Sequence, residues 1–171
     1  MINLIFVTGA SGTGKTTAVK ALEKKSLPNV AVCYYDAIGV PSTKEMVAKY
    51  GSVEAWQKQK TIDWVKKIRA EYPDKTVVLD GQARQVFIEE ACQLAGIEKY
   101  QIITFVCEDK ARDQRLIERG HPELANPDMS NWNKYLKAEA EKRGGIIIDT
   151  STYQIGQAAE ELESIVVESE S

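Results

Sequence analysis

A run of apolar and β-branched residues, Leu4 to Val7, leads straight into Gly9, four further residues, and then Gly14-Lys15-Thr16. This order constrains the chain more than any other feature. A buried strand has to turn within a glycine-rich loop and start a helix, because Lys15 to about Lys25 carries Ala18, Val19 and Leu22 at helical spacing. The pattern G-x-x-x-x-G-K-[ST] is one that cradles phosphates. Gly9, Gly12 and Gly14 let the backbone turn tightly so that successive N–H groups converge, and the helix mouth adds a dipole that favours negative charge. Lys15 supplies a mobile charge for the outer phosphates, and Thr16 a hydroxyl able to ligate Mg²⁺. The motif thus predicts a nucleoside triphosphate held by Gly9, Ala10, Ser11, Gly12, Thr13, Gly14, Lys15, Thr16 and Thr17, with Lys15 catalytic. A bare turn before a helix is the alternative.

Five short apolar runs recur: Asn3 to Thr8, Val30 to Tyr35, Thr76 to Asp80, Gln101 to Cys107 and Gly145 to Asp149. Runs such as TVVLD are apolar on both faces, as strands covered by helices on each side must be, which predicts an α/β fold with a parallel sheet. Between the second and third runs, residues 36–75 form a helical insertion. One helix spans roughly Ser42 to Tyr50; another spans about Val53 to Tyr72, with Trp56, Trp64 and Ile68 on one face and a stop before Pro73. The tail, about Gln154 to Val167, reads as an amphipathic helix with Ala158, Leu162 and Ile165 inward.

With 171 residues, 43% of them hydrophobic, a single domain over 1–171 can bury its own core. A net charge of −3 argues against nucleic acid or a membrane surface as the main partner, and the chain is compatible with a monomer or a dimer. Cys33, Cys92 and Cys107 are scattered and read as buried thiols of a reducing compartment. The start, MINLIFVTG, lacks a basic region and a cleavage site, so a cytoplasmic location is expected.

Further constellations lie at strand ends. Asp80 closes the third run, where open parallel sheets place their ligands; it is expected to hold the metal or orient an attacking hydroxyl, with Gln82 and Arg84 in the same crevice. The alternative is an Asp that caps the helix starting near Gln85. Asp36 occupies the same position after the second run and is a candidate to bind an acceptor hydroxyl or act as general base, or else a turn former before Gly39. In EDKARDQRLIERG, helical spacing puts Arg112, Arg115 and Arg119 on one face, where guanidiniums suit the charge of a transferring phosphate; a solvated, locally paired face is the rival. Gly120 to Ser130 reads as a surface loop that closes as a lid, and His121 within it as ordinary surface. The turn after the fifth run, Asp149, Thr150 and Ser151, either lines a slot for adenine or caps the final helix.

Together the loop, DGQAR at 80–84, the arginine-bearing helix and the IDTS turn resemble the P-loop small-molecule kinases, the superfamily of adenylate, shikimate and gluconate kinases. Asp80, Gly81 and Arg84 match the Asp-Gly-x-x-Arg element of adenylate kinases, which implies an acceptor-side role for Arg84. The resemblance implies a three-layer P-loop NTPase fold: a five-stranded parallel sheet of order 2-3-1-4-5, helices on both faces, and a short lid at about 109–130. It also implies ATP and Mg²⁺ as cofactors, with Thr16 and Asp80 at the metal. Ala83 stands where adenylate kinases usually have Pro, YYDAIG departs from their acceptor pattern, and the glycine-rich acceptor motif of shikimate kinases is missing. The expected activity is transfer of the γ-phosphoryl of Mg-ATP to a small-molecule acceptor. A nucleoside monophosphate kinase, or an NTP-binding switch that works through partners, is the alternative.

Overall fold

All seven residues of β1 (Asn3–Gly9) are buried in the computed structural model, which describes residues 1–154 and 156–170. Burial on both faces follows from its place: β1 pairs in parallel with β3 (Thr76–Asp80) on one side and with β4 (Tyr100–Val106) on the other. β2 (Val30–Tyr34) lies outside β3, and β5 (Ile146–Asp149) outside β4. The resulting order, β2-β3-β1-β4-β5, with every pairing parallel, is the expected one.

Alternation along β1 divides the core in two. Leu4 and Phe6 pack with Val77 and Leu79 against α3 (Val53–Glu71) and α4 (Gln85–Ala95), through Val65, Ile68, Ile88 and Ala91. Ile5 and Val7 pack with Val78, Ile103 and Phe105 against α1 (Lys15–Lys24) and α7 (Gln157–Glu170), through Val19, Leu22, Leu162 and Val166. Parallel strands require crossovers; α1, α3 and α4 lie in the first three, on both faces of the sheet, while α7 follows the last strand. Between β2 and β3 the insertion carries α2 (Thr43–Tyr50), opened by a Ser42–Glu45 capping box, and then α3.

Two boundaries differ from the sequence expectation. Gly120 to Ser130 is not one irregular loop: after α5 (Asp109–Glu118) come a single 3₁₀ turn at Pro122–Leu124 and then α6 (Pro127–Arg143). Asn126-Pro127, which resembles loop punctuation, is a helix start. The Asn126 side chain accepts from the Met129 N–H at 2.9 Å, and proline at the first helical position needs no donor. The tail helix begins at Gln157 and continues to Glu170, past the expected end; Ile155, inside the expected span, lies outside the described residues.

α6 is also what caps α4. Arg84, at the α4 N-cap, contributes no side-chain bond, and Asp80 is not the cap either. Instead the Glu139 carboxylate accepts from the backbone N–H of Gln85 at 2.8 Å and of Val86 at 3.4 Å, while Arg143 sits 3.8 Å away. An anion here satisfies orphan donors and opposes the helix dipole. Glu139→Ala is therefore expected to lower unfolding free energy by about 1–2 kcal/mol, read from the urea midpoint, with Glu139→Gln intermediate.

Candidate active site

The loop between β1 and α1 rests on α5. Gly12 has φ +85°, and a Cβ on it would lie 2.8 Å from Arg112 Cγ and 2.9 Å from Leu116 Cγ, so any side chain would lift the loop off its support. Inside the loop, the Thr13 hydroxyl donates to the Ala10 carbonyl at 2.8 Å. From β5, the Thr150 hydroxyl donates to the Thr13 carbonyl at 2.7 Å, tying the last strand's turn to the loop.

At the start of α1 the chain meets the end of β3. Thr16 donates its hydroxyl to Asp80 Oδ2 at 2.7 Å, and Lys15 Nζ stands 3.6 Å from Asp80 Oδ1. Asp80 is only 5% exposed, and its Oδ1 has no hydrogen-bond partner among the described residues. A buried carboxylate oxygen without a donor is costly, and a hard cation or its water would satisfy it. The oxygen donors of Thr16 and Asp80 are the type that Mg²⁺ takes, so the residues present fit that ion.

Two cavities flank the start of α1 and share Gly14 and Arg119 in their linings. One, of about 230 Å³, lies between α1 (Thr17, Ala18, Ala21) and the segment Tyr153, Gln154, Ala158 and Ala159, with Thr150 and Arg115 also lining it. Its size and largely apolar walls suit a planar base. The other, of about 250 Å³, is lined by Ser11, Lys15, Thr16, Asp36, Gln82 and His121. Arg119 lines both, and its guanidinium donates to the Thr17 hydroxyl at 3.3 Å.

The three arginines expected on one face therefore do different work. Arg115 donates to the Thr150 hydroxyl at 2.9 Å and the Thr150 carbonyl at 2.7 Å, holding the turn at the edge of the apolar cavity. Arg112 is fully buried; its stem supports Gly12, its guanidinium bonds Asp109 and Asp113 at 2.9 and 2.7 Å, and it reaches neither cavity. Arg119 alone stands where the two cavities join. In the β5 turn, Thr150 lines the apolar cavity, whereas Asp149 accepts from the Ser151 N–H at 3.0 Å in a local turn. α7 starts only at Gln157, so that turn does not cap it.

On the other side, Asp36 lies in a 3₁₀ turn (Tyr35–Ile38) that follows β2. Gly81 lets the β3 turn approach this one, since a Cβ there would come 2.5 Å from Tyr35 Cβ. Gln82 bridges: its Nε2 donates to Ser11 Oγ at 2.9 Å, and its Oε1 accepts from the Trp132 indole at 3.1 Å. Asp36 and Gln82 thus share a cavity with Lys15, as expected, and Asp80 joins it through Lys15 and Thr16. Arg84 does not. Its N–H and guanidinium both donate to Gln57 Oε1, at 3.2 and 2.8 Å, Glu54 lies 3.6 Å away, and the rings of Trp132, Phe87 and Tyr135 surround it at 5.1 to 5.6 Å.

His121, expected as ordinary surface, lines the polar cavity and stands 3.2 Å from Glu123. Two contributors went unread in the sequence. Trp132 belongs to the unforeseen α6 and stacks on Tyr135 with centroids 5.7 Å apart. Lys60 is buried on α3, where desolvation pushes its ammonium below the usual lysine value and the Asp36 carboxylate partly restores it. The available signal was its position, four residues from both Trp56 and Trp64 on an otherwise apolar face.

A family model described as an AAA domain matches residues 5–131. The chain belongs to that AAA-domain family. Several solved kinases share the fold of this chain. A sugar kinase from Janibacter sp. shares 17% identity at a TM-score of 0.68, over 96% of this chain and 94% of that one. A gluconokinase from Sinorhizobium meliloti shares 16% at 0.64, over 97% and 92%. A shikimate kinase from Acinetobacter baumannii, solved with shikimate, shares 15% at 0.55, over 97% and 92%. At such identities the likeness is one of fold. No curated protein matches the sequence.

Because Gln82 is the direct link between the AAA-domain chain's loop and α6, Gln82→Ala should strip the indole N–H of Trp132 of its acceptor. We expect a shift in tryptophan emission and a stability loss of about 1 kcal/mol by chemical denaturation. An unchanged emission spectrum would show that the bridge is absent in solution.

Proposed function

We propose that this chain is a small-molecule kinase that transfers the γ-phosphoryl of ATP to a hydroxyl-bearing acceptor. The observation that carries the reading is the cluster of Lys15, Thr16 and Asp80, with a buried carboxylate oxygen that accepts no hydrogen bond among the described residues, beside a polar cavity that shares Gly14 and Arg119 with an apolar slot. The kinases among the similar structures support it.

In this reading the loop amides and Lys15 bind the β- and γ-phosphates, and the slot beside Ala18 and Ala159 takes the base. Thr16 and Asp80 would hold Mg²⁺, which when bound neutralises charge on the phosphate oxygens. Arg119, at the junction of the cavities, stabilises charge developing on the transferred group. Asp36 and Gln82 orient the acceptor hydroxyl, with the Asp36 carboxylate receiving its proton. Arg115 and Arg112 serve by holding the Thr150 turn and the loop. The nucleoside monophosphate alternative draws on Arg84 as an anion site, and the engagement of Arg84 with Gln57, Glu54 and three rings gives it no support. We extend the reading to one kinase domain over 1–171, with 36–75 on the acceptor side and 109–130 over the phosphates, acting in the cytoplasm. No helix among the described residues is long and apolar enough to cross a membrane.

The test is ADP release from Mg-ATP across a panel of sugars, sugar acids, polyols, hydroxy acids and nucleoside monophosphates, paired with thermal shift in the presence of a non-hydrolysable ATP analogue. One acceptor should raise ADP release well above the basal rate. Lys15→Ala should cut that stimulated rate by about 10²–10³-fold with little change in folding; a loss of less than about threefold would remove the assignment.

Lysine substitutions separate the arginines, since an ammonium keeps the charge but loses the planar fork. Arg119→Lys should lower kcat by at least about tenfold with ATP affinity nearly unchanged. Arg115→Lys should act mainly on ATP affinity by loosening the Thr150 turn. Equal mild losses at both positions would instead indicate a solvated face.

A further inference from the structure

Lys60 occupies a place where a lysine is rarely found. It projects from the buried face of α3, and its side chain is 5% exposed. Its Nζ lies 4.4 Å from the Tyr35 ring centroid and 4.7 Å from that of Trp56, so two aromatic faces wall the ammonium. The remaining partners are the Gly39 carbonyl at 3.2 Å and Asp36 Oδ1 at 3.5 Å. These two groups bracket one turn, since Asp36 lies inside it and Gly39 closes it. α3 grips the start of the same turn as well: the Trp64 indole donates to the Tyr35 carbonyl at 2.9 Å, and the Tyr35 hydroxyl bonds Gln57 and Thr61.

Stability alone does not account for this arrangement. Burying a cation is costly, and its charged partner here is a carboxylate that is 74% exposed, in a setting where an ion pair returns little. An apolar side chain of similar length would fill the aromatic slot at no electrostatic cost. What the charge supplies is direction. An exposed aspartate on a short turn samples several rotamers, and a fixed ammonium on one side selects those that keep the second carboxylate oxygen free on the cavity that Lys15 and Gln82 also line.

We propose that Lys60 is a positioning residue that acts through Asp36, holding that carboxylate and its turn in the orientation that receives the acceptor. This rests on the kinase reading above only for the role of Asp36; the contact itself can be tested without turnover.

The experiment uses the full chain, with Lys60→Met, Lys60→Arg, Asp36→Asn and the double variant Asp36→Asn/Lys60→Met, assayed with the acceptor found for the wild type. Lys60→Met should lower acceptor-dependent kcat by at least about tenfold while leaving the KM for ATP within about twofold, and Lys60→Arg should recover much of the loss. The double variant should be no slower than Asp36→Asn, the non-additivity expected when one residue works through the other. Multiplicative losses, or a kcat for Lys60→Met within about twofold of wild type, would overturn the proposal. In parallel, the ¹H–¹⁵N signal of the buried Lys60 ammonium, assigned as the one missing in Lys60→Met or, should that variant not fold, in Lys60→Arg, should shift in Asp36→Asn. If no acceptor stimulates the wild type, the kinase reading fails by itself and this signal still decides the coupling; an unshifted signal overturns it.

Discussion

Asp80 ends β3 more than sixty residues from Thr16, and the two are brought together by strand register alone. β1 and β3 pair with Val7 opposite Asp80, so the carboxylate emerges just where β1 gives way to the loop and α1 turns back over the sheet. A shift of one residue would turn the side chain of position 80 to the other face. Val77 and Leu79 pack with Leu4 and Phe6 on one face and Val78 packs with Ile5 and Val7 on the other, so a slip would break fitted packing in both cores at once. The polar contact thus inherits its precision from the hydrophobic one, and the metal-ligating role proposed for Thr16 and Asp80 depends on core residues of β1 and β3 that line neither cavity.

On the acceptor face the corresponding fixed point is a chain of bonds. Ser11 in the loop, Gln82 after β3, and Trp132 on α6 are linked side chain to side chain; Trp132 stacks on Tyr135, and one turn later Glu139 caps α4. Arg84 fills the space between these rings and α3 and is committed to Gln57 on that helix. The helix that the sequence hid therefore braces the acceptor side from one flank, while α3 braces it from the other through Tyr35 and Lys60. Charge on this face is largely consumed by structure. The polar groups facing the cavity are the Asp36 carboxylate, the Gln82 amide, the Ser11 and Thr16 hydroxyls, the His121 imidazole and the cations Lys15 and Arg119; with those cations given to phosphate in the proposed reading, the set is better matched to hydroxyls than to a second strongly anionic group.

The proposed nucleotide half of the site was legible as structure because the pattern that builds it is local. A loop whose amides converge has to be contiguous, and a strand before it and a helix after it are visible in apolar spacing alone, so the residues from Gly9 to Thr17 could be read directly. Strand-end carboxylates were legible for a related reason: parallel topology sends them to one edge. What escaped reading depends on distant partners. Arg112 and Arg119 share a helix face and differ by two turns of height, and only the packing of Gly12 onto α5 shows that one is sealed beneath the loop while the other stays open. Few residues of α6 are buried, Asn133, Leu136 and Ala140 among them, which leaves little apolar rhythm to detect, and its Asn-Pro start is equally a loop signal.

Lys60 marks the limit of pattern reading most sharply. On a helical projection it lies within the stripe of Trp56, Trp64 and Ile68, where the ordinary account of a lysine is that its head reaches out to water past an apolar stem. Whether it does depends on what stands at the end of the stem. Here the Asp36–Gly39 turn lies across it, and that turn is where it is because Gly81 admits Tyr35 to close packing. The ammonium is held under the turn rather than released to solvent, so a glycine after β3 decides the environment of a lysine on α3. A residue that breaks the apolar pattern of its helix is in this case the one whose surroundings connect the sheet edge, the insertion and the cavity.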